Sequence, residues 1–199
     1  MFRLPIAALT LSAMALTAAP AGSVPQKKER RELSEKQSRT SSDARVVSHL
    51  VKDIRRELVM LPYYGVFDWL EGEVRPDGTV VLRGQVIKPT TKSEAEARVK
   101  SVEGVEQVTS EIEVLPLSPN DDRLRLALYR TLFDWNSPLF RYATQAVPPI
   151  HIIVRNGRVV LRGVVASKFD SDLANTKANS VSGVFEVRNE LKIEDSKAR

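Results

Sequence analysis

The feature that most constrains the fold of this chain is an internal repeat. The segment Gly78-Thr-Val-Val-Leu-Arg-Gly84 recurs as Gly157-Arg-Val-Val-Leu-Arg-Gly163, and residues 102–114 recur as 181–193. Both pairs are separated by the same 79 residues, with no gap between them. A chain of 199 residues is long enough for two small domains. The repeat therefore predicts two homologous units in tandem.

We place the first repeat at residues 43–115 and the second at 120–195, with a hinge at 116–119. The pattern of each repeat predicts five elements in the order αββαβ. This order predicts an α+β fold, in which two helices pack on one face of a three-stranded sheet. Units of this size bury only a small core, so packing of one repeat against the other would stabilise both.

Turn residues and helical spacing locate the elements. The pair Asn156-Gly157 between two β-branched runs is typical of a two-residue hairpin turn. The second helix of each repeat is expected over residues 93–103 and 171–182, and a glycine ends each one. Six glycines are expected in turns, in the outgoing strands and after these helices: Gly78, Gly84, Gly104, Gly157, Gly163 and Gly183.

The first helix of the second repeat carries two apolar stripes. We expect Asp121 or Asp122 to cap it, and its core stripe to be Leu124, Leu128, Leu132 and Trp135. A helix on a sheet needs one apolar face, so the other stripe is free for a contact. That contact is with the first repeat, with a second chain, or with acyl chains while arginines reach the headgroups. The predicted contact residues are Leu126, Tyr129, Arg130, Phe133, Trp135, Phe140 and Arg141.

The N-terminal residues have the composition of an export signal. One basic residue, Arg3, precedes an uncharged run that ends at the small-residue site Ala19-Pro20-Ala21. The run is shorter than the roughly 20 residues that span a bilayer. We predict a signal peptide at 1–21, either cleaved or kept as an anchor, and a disordered charged tether at 22–42. The chain is then periplasmic or secreted, and without cysteine it is no lipoprotein.

Composition excludes most catalytic chemistry. There is no cysteine, and the two histidines are His49 and His151. We expect His49 to be half-exposed and inert, and His151 to lie on a sheet surface. The sequence contains no nucleophile elbow, phosphate loop or dinucleotide fingerprint. We therefore predict a binding or structural module that is not an enzyme, with no metal or cofactor.

The repeated motifs are Gly157–Val165 and Val181–Val187 in the second repeat, and Gly78–Val86 and Val102–Val108 in the first. In this order they resemble the BON domain, which the OsmY-like periplasmic stress proteins share. The motif residues are structural, and the family has no catalytic residues to carry over. The chain departs from the family pattern at residues 61–70, where the first repeat is longer and more aromatic.

The resemblance implies an exported cell-envelope protein that binds anionic phospholipid, with a role in envelope stress protection. The alternative is an interaction protein that scaffolds an envelope assembly by domain or homo-oligomer packing, without lipid. The expected partner is thus an anionic phospholipid surface or an envelope protein, and homo-oligomers remain open. Although the net charge is +5, predicted export argues against nucleic acid as a partner.

Overall fold

The computed structural model describes residues 46–75, 77–145 and 147–194. The predicted signal peptide and tether lie outside the described residues. In the first repeat, helix α1 covers 46–59. The remaining elements of this repeat are β1 (Trp69–Val74), β2 (Thr79–Val86), α2 (Pro89–Lys100) and β3 (Gln107–Val114).

The second repeat follows the same order with one addition. Its elements are α3 (Pro119–Leu132), α4 (Phe140–Ala143), β4 (Ile150–Arg155), β5 (Arg158–Val165), α5 (Lys168–Asn179) and β6 (Glu186–Ile193). In each repeat the first two strands form an antiparallel hairpin, and the third strand pairs in parallel with the second. The central strands are therefore β2 and β5. The predicted α+β fold of two αββαβ units is confirmed, and the four-residue helix α4 is an addition to it.

Each repeat has its own hydrophobic core between its helices and its sheet. In the first repeat, Leu50 and Ile54 of α1 and Val99 of α2 pack against Val80 and Leu82 of β2. The corresponding residues of the second repeat are Leu124, Leu128, Ala178, Val159 and Leu161. Both helices of a repeat share one core, so they lie on the same face of its sheet.

The helices begin earlier than the sequence predicts. Helices α2 and α5 start at Pro89 and Lys168, ahead of the expected residues 93 and 171. Proline is tolerated in the first turn of a helix, because its missing N–H would have no partner there. Ser167 caps α5, since its hydroxyl accepts from the backbone N–H of Asp170 at 3.2 Å.

The cap of α3 is also different. Ser118 is the N-cap, and its hydroxyl accepts from the backbone N–H of Asp121 at 3.2 Å. Asp121 is buried instead, and its carboxylate accepts from the backbone N–H groups of Asn156 and Gly157 at 2.8 and 2.9 Å. The expected aspartate cap is therefore wrong, because this carboxylate fixes the β4–β5 hairpin turn and not the helix end.

Gly84 and Gly163 allow the hairpin strands to pass close to the chain before them. Their φ angles are +138° and +125°. A Cβ atom on either would lie 1.9 Å from a backbone carbonyl oxygen, that of Trp69 or of Pro149. No side-chain rearrangement relieves a clash with backbone, so glycine is required at both positions.

We expect Gly84→Ala and Gly163→Ala each to lower the free energy of unfolding by at least about 3 kcal/mol, since the clash adds to a backbone strain of order 1–3 kcal/mol. Gly65→Ala is the control, because a Cβ there meets no atom within 4 Å. Urea denaturation measures all three. Equal stability of the Gly84 and Gly65 variants would contradict the geometry.

Candidate functional site

Residues 64–69, here called the bridging segment, join the first repeat to the second. The backbone N–H of Ile152 donates to the carbonyl of Val66 at 2.8 Å, so the segment hydrogen-bonds to the outer edge of β4. Val66 and Phe67 also pack against the core of the second repeat. An exposed strand edge is a site of unwanted association, and here the first repeat covers it.

His151 is buried beneath the bridging segment. It is 4% exposed, and its ring centroid lies 5.5 Å from that of Tyr64 and 5.0 Å from that of Trp69. The expectation of a histidine on a sheet surface is therefore wrong. Its face of β4 has no helix on it, but the first repeat covers it, and this packing of repeats was not visible from strand alternation.

Burial shifts the ionisation of the groups around this contact. It lowers the pKa of His151, although backbone carbonyls of Asp68 and Gly65 act in the opposite direction. Burial also raises the pKa of Tyr64 to about 12 and raises the pKa of the Asp68 carboxyl. That carboxyl accepts from the backbone N–H groups of Gly65 and Ile87 at 3.1 and 2.8 Å. Asp68 thus ties the bridging segment to the end of β2.

The contact residues predicted on and after α3 fall into a buried group and an exposed group. Phe133 is buried in the core of the second repeat, although the sequence suggested a contact surface for it. Tyr129 is half-buried, with its ring centroid 5.1 Å from that of Phe133 and 6.2 Å from that of Phe67. Of the contacts that the sequence left open, Tyr129 makes the one with the first repeat, through Phe67, whereas Phe133 belongs to the core of its own repeat.

The other predicted residues face outward. Leu126 and Arg130 are exposed on α3, Trp135 is 78% exposed, and its ring centroid lies 4.9 Å from that of the half-buried Phe140. We call Leu126, Arg130, Trp135 and Phe140 the aromatic surface. The expectation that Trp135 belongs to the core stripe is wrong, because α3 ends at Leu132 and helical spacing does not continue beyond it.

Arg141 has a structural partner. Its guanidinium lies 2.5 Å from the carboxylate of Asp170, which is buried at the start of α5. The same carboxylate accepts from the Tyr142 hydroxyl at 3.0 Å, and that hydroxyl in turn accepts from the backbone N–H of Ala166. Arg141 therefore contributes less free positive charge to the surface than Arg130, for which the described residues provide no ion pair.

A cleft of about 630 Å³ lies beside the bridging segment. Its walls come from α1, from β1, and from residues that flank the start of β4, including Pro148 and Pro149. The indole Nε1 of Trp69 and the Nδ1 of His151 both belong to lining residues, and neither has a hydrogen-bond partner among the described residues. No sequence pattern indicated this cleft, because it depends on how the repeats pack.

The described residues contain no group of three or more metal-ligating side chains, and none of their helices is long and apolar enough to cross a membrane. His49 is exposed on α1. The six motif glycines all have positive φ, at turns, at the close approaches described above and after α2 and α5.

Comparison with known proteins gives one significant family. The model of the BON domain matches residues 67–116 and 140–195. No curated protein matches the chain significantly.

Two solved structures of the type III secretion structural protein CdsD of Chlamydia trachomatis are similar to parts of the fold. One is 12% identical, over 75% of this chain and 94% of that one, with a TM-score of 0.31. The other, its C-terminal domain, is 15% identical, over 73% and 98%, with a TM-score of 0.28. At these TM-scores neither similarity supports a conclusion about this chain.

We expect Phe133→Ala to lower the free energy of unfolding by about 3 kcal/mol, because it removes a buried ring from the core. Trp135→Ala is the matched control and should change stability by less than about 0.5 kcal/mol, since its ring is mostly in solvent. Chemical denaturation of both variants checks this, and the reverse ranking would show that the two rings are wrongly placed.

Stability should fall as the pH decreases below about 6.5. The pKa of His151 is lower in the folded chain, so the unfolded chain binds the proton more readily, and each unit of pH costs up to about 1.4 kcal/mol. Asp68 acts in the opposite direction. Its pKa is raised above the ordinary value of 3.8, so the folded chain binds this proton before the unfolded chain does, and protonation of Asp68 stabilises the fold as the pH falls.

The His151→Gln variant keeps Asp68 and removes the titrating imidazole, so the difference between the two proteins isolates His151. Unfolding free energies between pH 7.5 and 5.5 should decrease more steeply for the wild type. Parallel pH profiles would mean that His151 is not buried in solution.

Proposed function

The chain belongs to the BON domain family, and we propose on that premise that it is a non-enzymatic protein of the cell envelope that binds anionic phospholipid surfaces. The single observation that carries this proposal is the aromatic surface. Trp135 and Phe140 follow the end of α3 with their rings in contact, and the last turn of that helix carries Arg130. Within the described residues, Arg130 and Trp135 are exposed and Phe140 is half-buried. Tyr129, by contrast, packs against Phe67 of the first repeat, and Phe133 lies in the core of the second.

The chemistry of these residues suits the interface of a bilayer. Tryptophan favours the headgroup region, because its ring is apolar and its N–H is polar. Arginine places its stem along apolar surface and its charge among phosphates. A basic residue near an anionic leaflet contributes about 1 kcal/mol to binding. The arrangement therefore supports a peripheral contact, with Leu126 as an additional apolar side chain.

The location of the protein is part of the proposal. The predicted signal peptide supports export to the periplasm or beyond, and membership of the family supports an envelope role, with stress protection as its setting. The alternative, a scaffold that assembles through its domains without lipid, is distinguished by the experiment below.

Flotation with vesicles of phosphatidylglycerol and phosphatidylcholine tests the proposal. The double variant Trp135→Ser, Arg130→Ser should bind at least about tenfold more weakly than the wild type, because it loses an apolar anchor and about 1 kcal/mol of charge interaction. Binding of the wild type should weaken in high salt and should be lost with pure phosphatidylcholine.

Phe185→Ser is the matched control. Phe185 is 76% exposed and stacks under Arg158, but it lies with Asn120 and Leu124 near the other end of α3. This variant should bind as the wild type does. If the wild type does not float with anionic vesicles, the membrane proposal is wrong and the scaffold alternative gains support. If the wild type floats and the double variant binds as well as it does, the aromatic surface is not the lipid contact.

A further inference from the structure

Two outward hydrogen-bonding groups of β4 are occupied by other parts of the chain. Its Ile152 N–H donates to Val66, as described above, and its Val154 carbonyl accepts from the Arg125 guanidinium at 2.7 Å. Both bonds come from groups outside the second sheet. The outer edge of β4 is therefore blocked at Ile152 and Val154.

The equivalent edge of the first repeat is open. The hairpin register pairs Gly72 with Leu82 and Ile152 with Leu161, so Gly72 is the counterpart of Ile152 and Val74 that of Val154. The backbone N–H of Arg75 donates to Thr79 at 2.9 Å, which makes that pair a hydrogen-bonded one. Because such pairs alternate along an antiparallel ladder, the polar groups of Gly72 and Val74 point away from β2.

No backbone group among the described residues bonds to these outward N–H and C=O groups. An open edge with both kinds of group is a template for another strand. The backbone of Leu70 hydrogen-bonds to the Tyr64 hydroxyl, so the open part of β1 runs from Glu71 to Val74. At 3.3–3.4 Å per residue it is about 13 Å long, which accommodates an extended peptide of about four residues.

The cleft of about 630 Å³ runs along this edge and supplies space for side chains. Part of that space exists because Gly72 stands where the second repeat has the fully buried Ile152. A Cβ on Gly72 would lie 3.5 Å from Ile54 and 3.7 Å from Leu82, in ordinary contact with both. On the α1 side, the partly exposed Val51 and Val59 extend the apolar wall.

The rim charges of the cleft balance. Two arginines and two glutamates line it, Arg55 and Arg83 with Glu71 and Glu73, and Arg83 is paired with Glu73 at 2.6 Å. An occupant therefore needs no strong net charge. The cleft is also continuous with the contact between the repeats. There the bridging segment already hydrogen-bonds to an outer strand edge, that of β4.

We propose that the β1 edge and its cleft bind an extended apolar peptide of a partner protein, which adds as a strand to the first sheet. Main-chain hydrogen bonds to Gly72 and Val74 supply affinity, and alternate side chains of the peptide enter the cleft. This is a second binding site, separate from the aromatic surface and independent of lipid.

Selection of a display library of linear 12-residue peptides on the full chain tests the inference. Peptides with alternating apolar residues should be enriched. The best of them, made synthetically, should bind at least tenfold more weakly to Gly72→Pro, which lacks the amide donor, and should slow hydrogen exchange at Gly72 and Val74 in the wild type.

Gly72→Ala is the matched control, because it keeps the N–H and its Cβ fits. It should bind within about threefold of the wild type, and thermal melting of both variants verifies that they fold. The inference fails if no peptide is enriched, if Gly72→Pro binds equally while folded, or if this variant loses vesicle flotation instead. Vesicle binding that is unchanged in Gly72→Pro supports two separate sites.

Discussion

The contact on which the rest of the structure depends is the hydrogen bond from the Ile152 N–H to the Val66 carbonyl, together with the rings of Tyr64 and Trp69 around His151. Small αββαβ units bury little surface by themselves. The bridging segment increases the buried surface, because it covers both the outer edge of β4 and the face of the second sheet that carries no helix. It therefore couples the two repeats.

This coupling decides which side chains remain for binding. It uses one side of α3, where Tyr129 meets Phe67, and leaves Leu126 and Trp135 of the aromatic surface exposed. It also makes the repeats unequal, because the outer edge of β4 is blocked at Ile152 and Val154 while β1 is open beside a cleft. Two nearly identical folds thereby offer two different surfaces. The proposed lipid contact lies on one of these surfaces and the proposed peptide site on the other.

The repeat, the element order and the hairpin turns were predictable, because they follow from local patterns such as Asn156-Gly157 and the glycines after the second helices. The environment of His151 was not predictable. The alternation of apolar and polar residues identifies the two faces of a strand, but it does not say what covers them. The same limit applied to α3, where the spacing identified a second stripe but not its division between Phe133 and Leu126. The aromatic segment 61–70 was the departure from the family pattern, and the bridging segment lies within it.

The most direct test of the account uses the two tryptophans of the chain. In Trp69→Phe the emission comes from Trp135, and in Trp135→Phe it comes from Trp69. On addition of anionic vesicles, the account predicts a blue shift and protection from aqueous quenchers for Trp135, and no change for Trp69. A Trp135 spectrum that stays unchanged while the protein is bound to vesicles, or a shift that arises from Trp69, would contradict it.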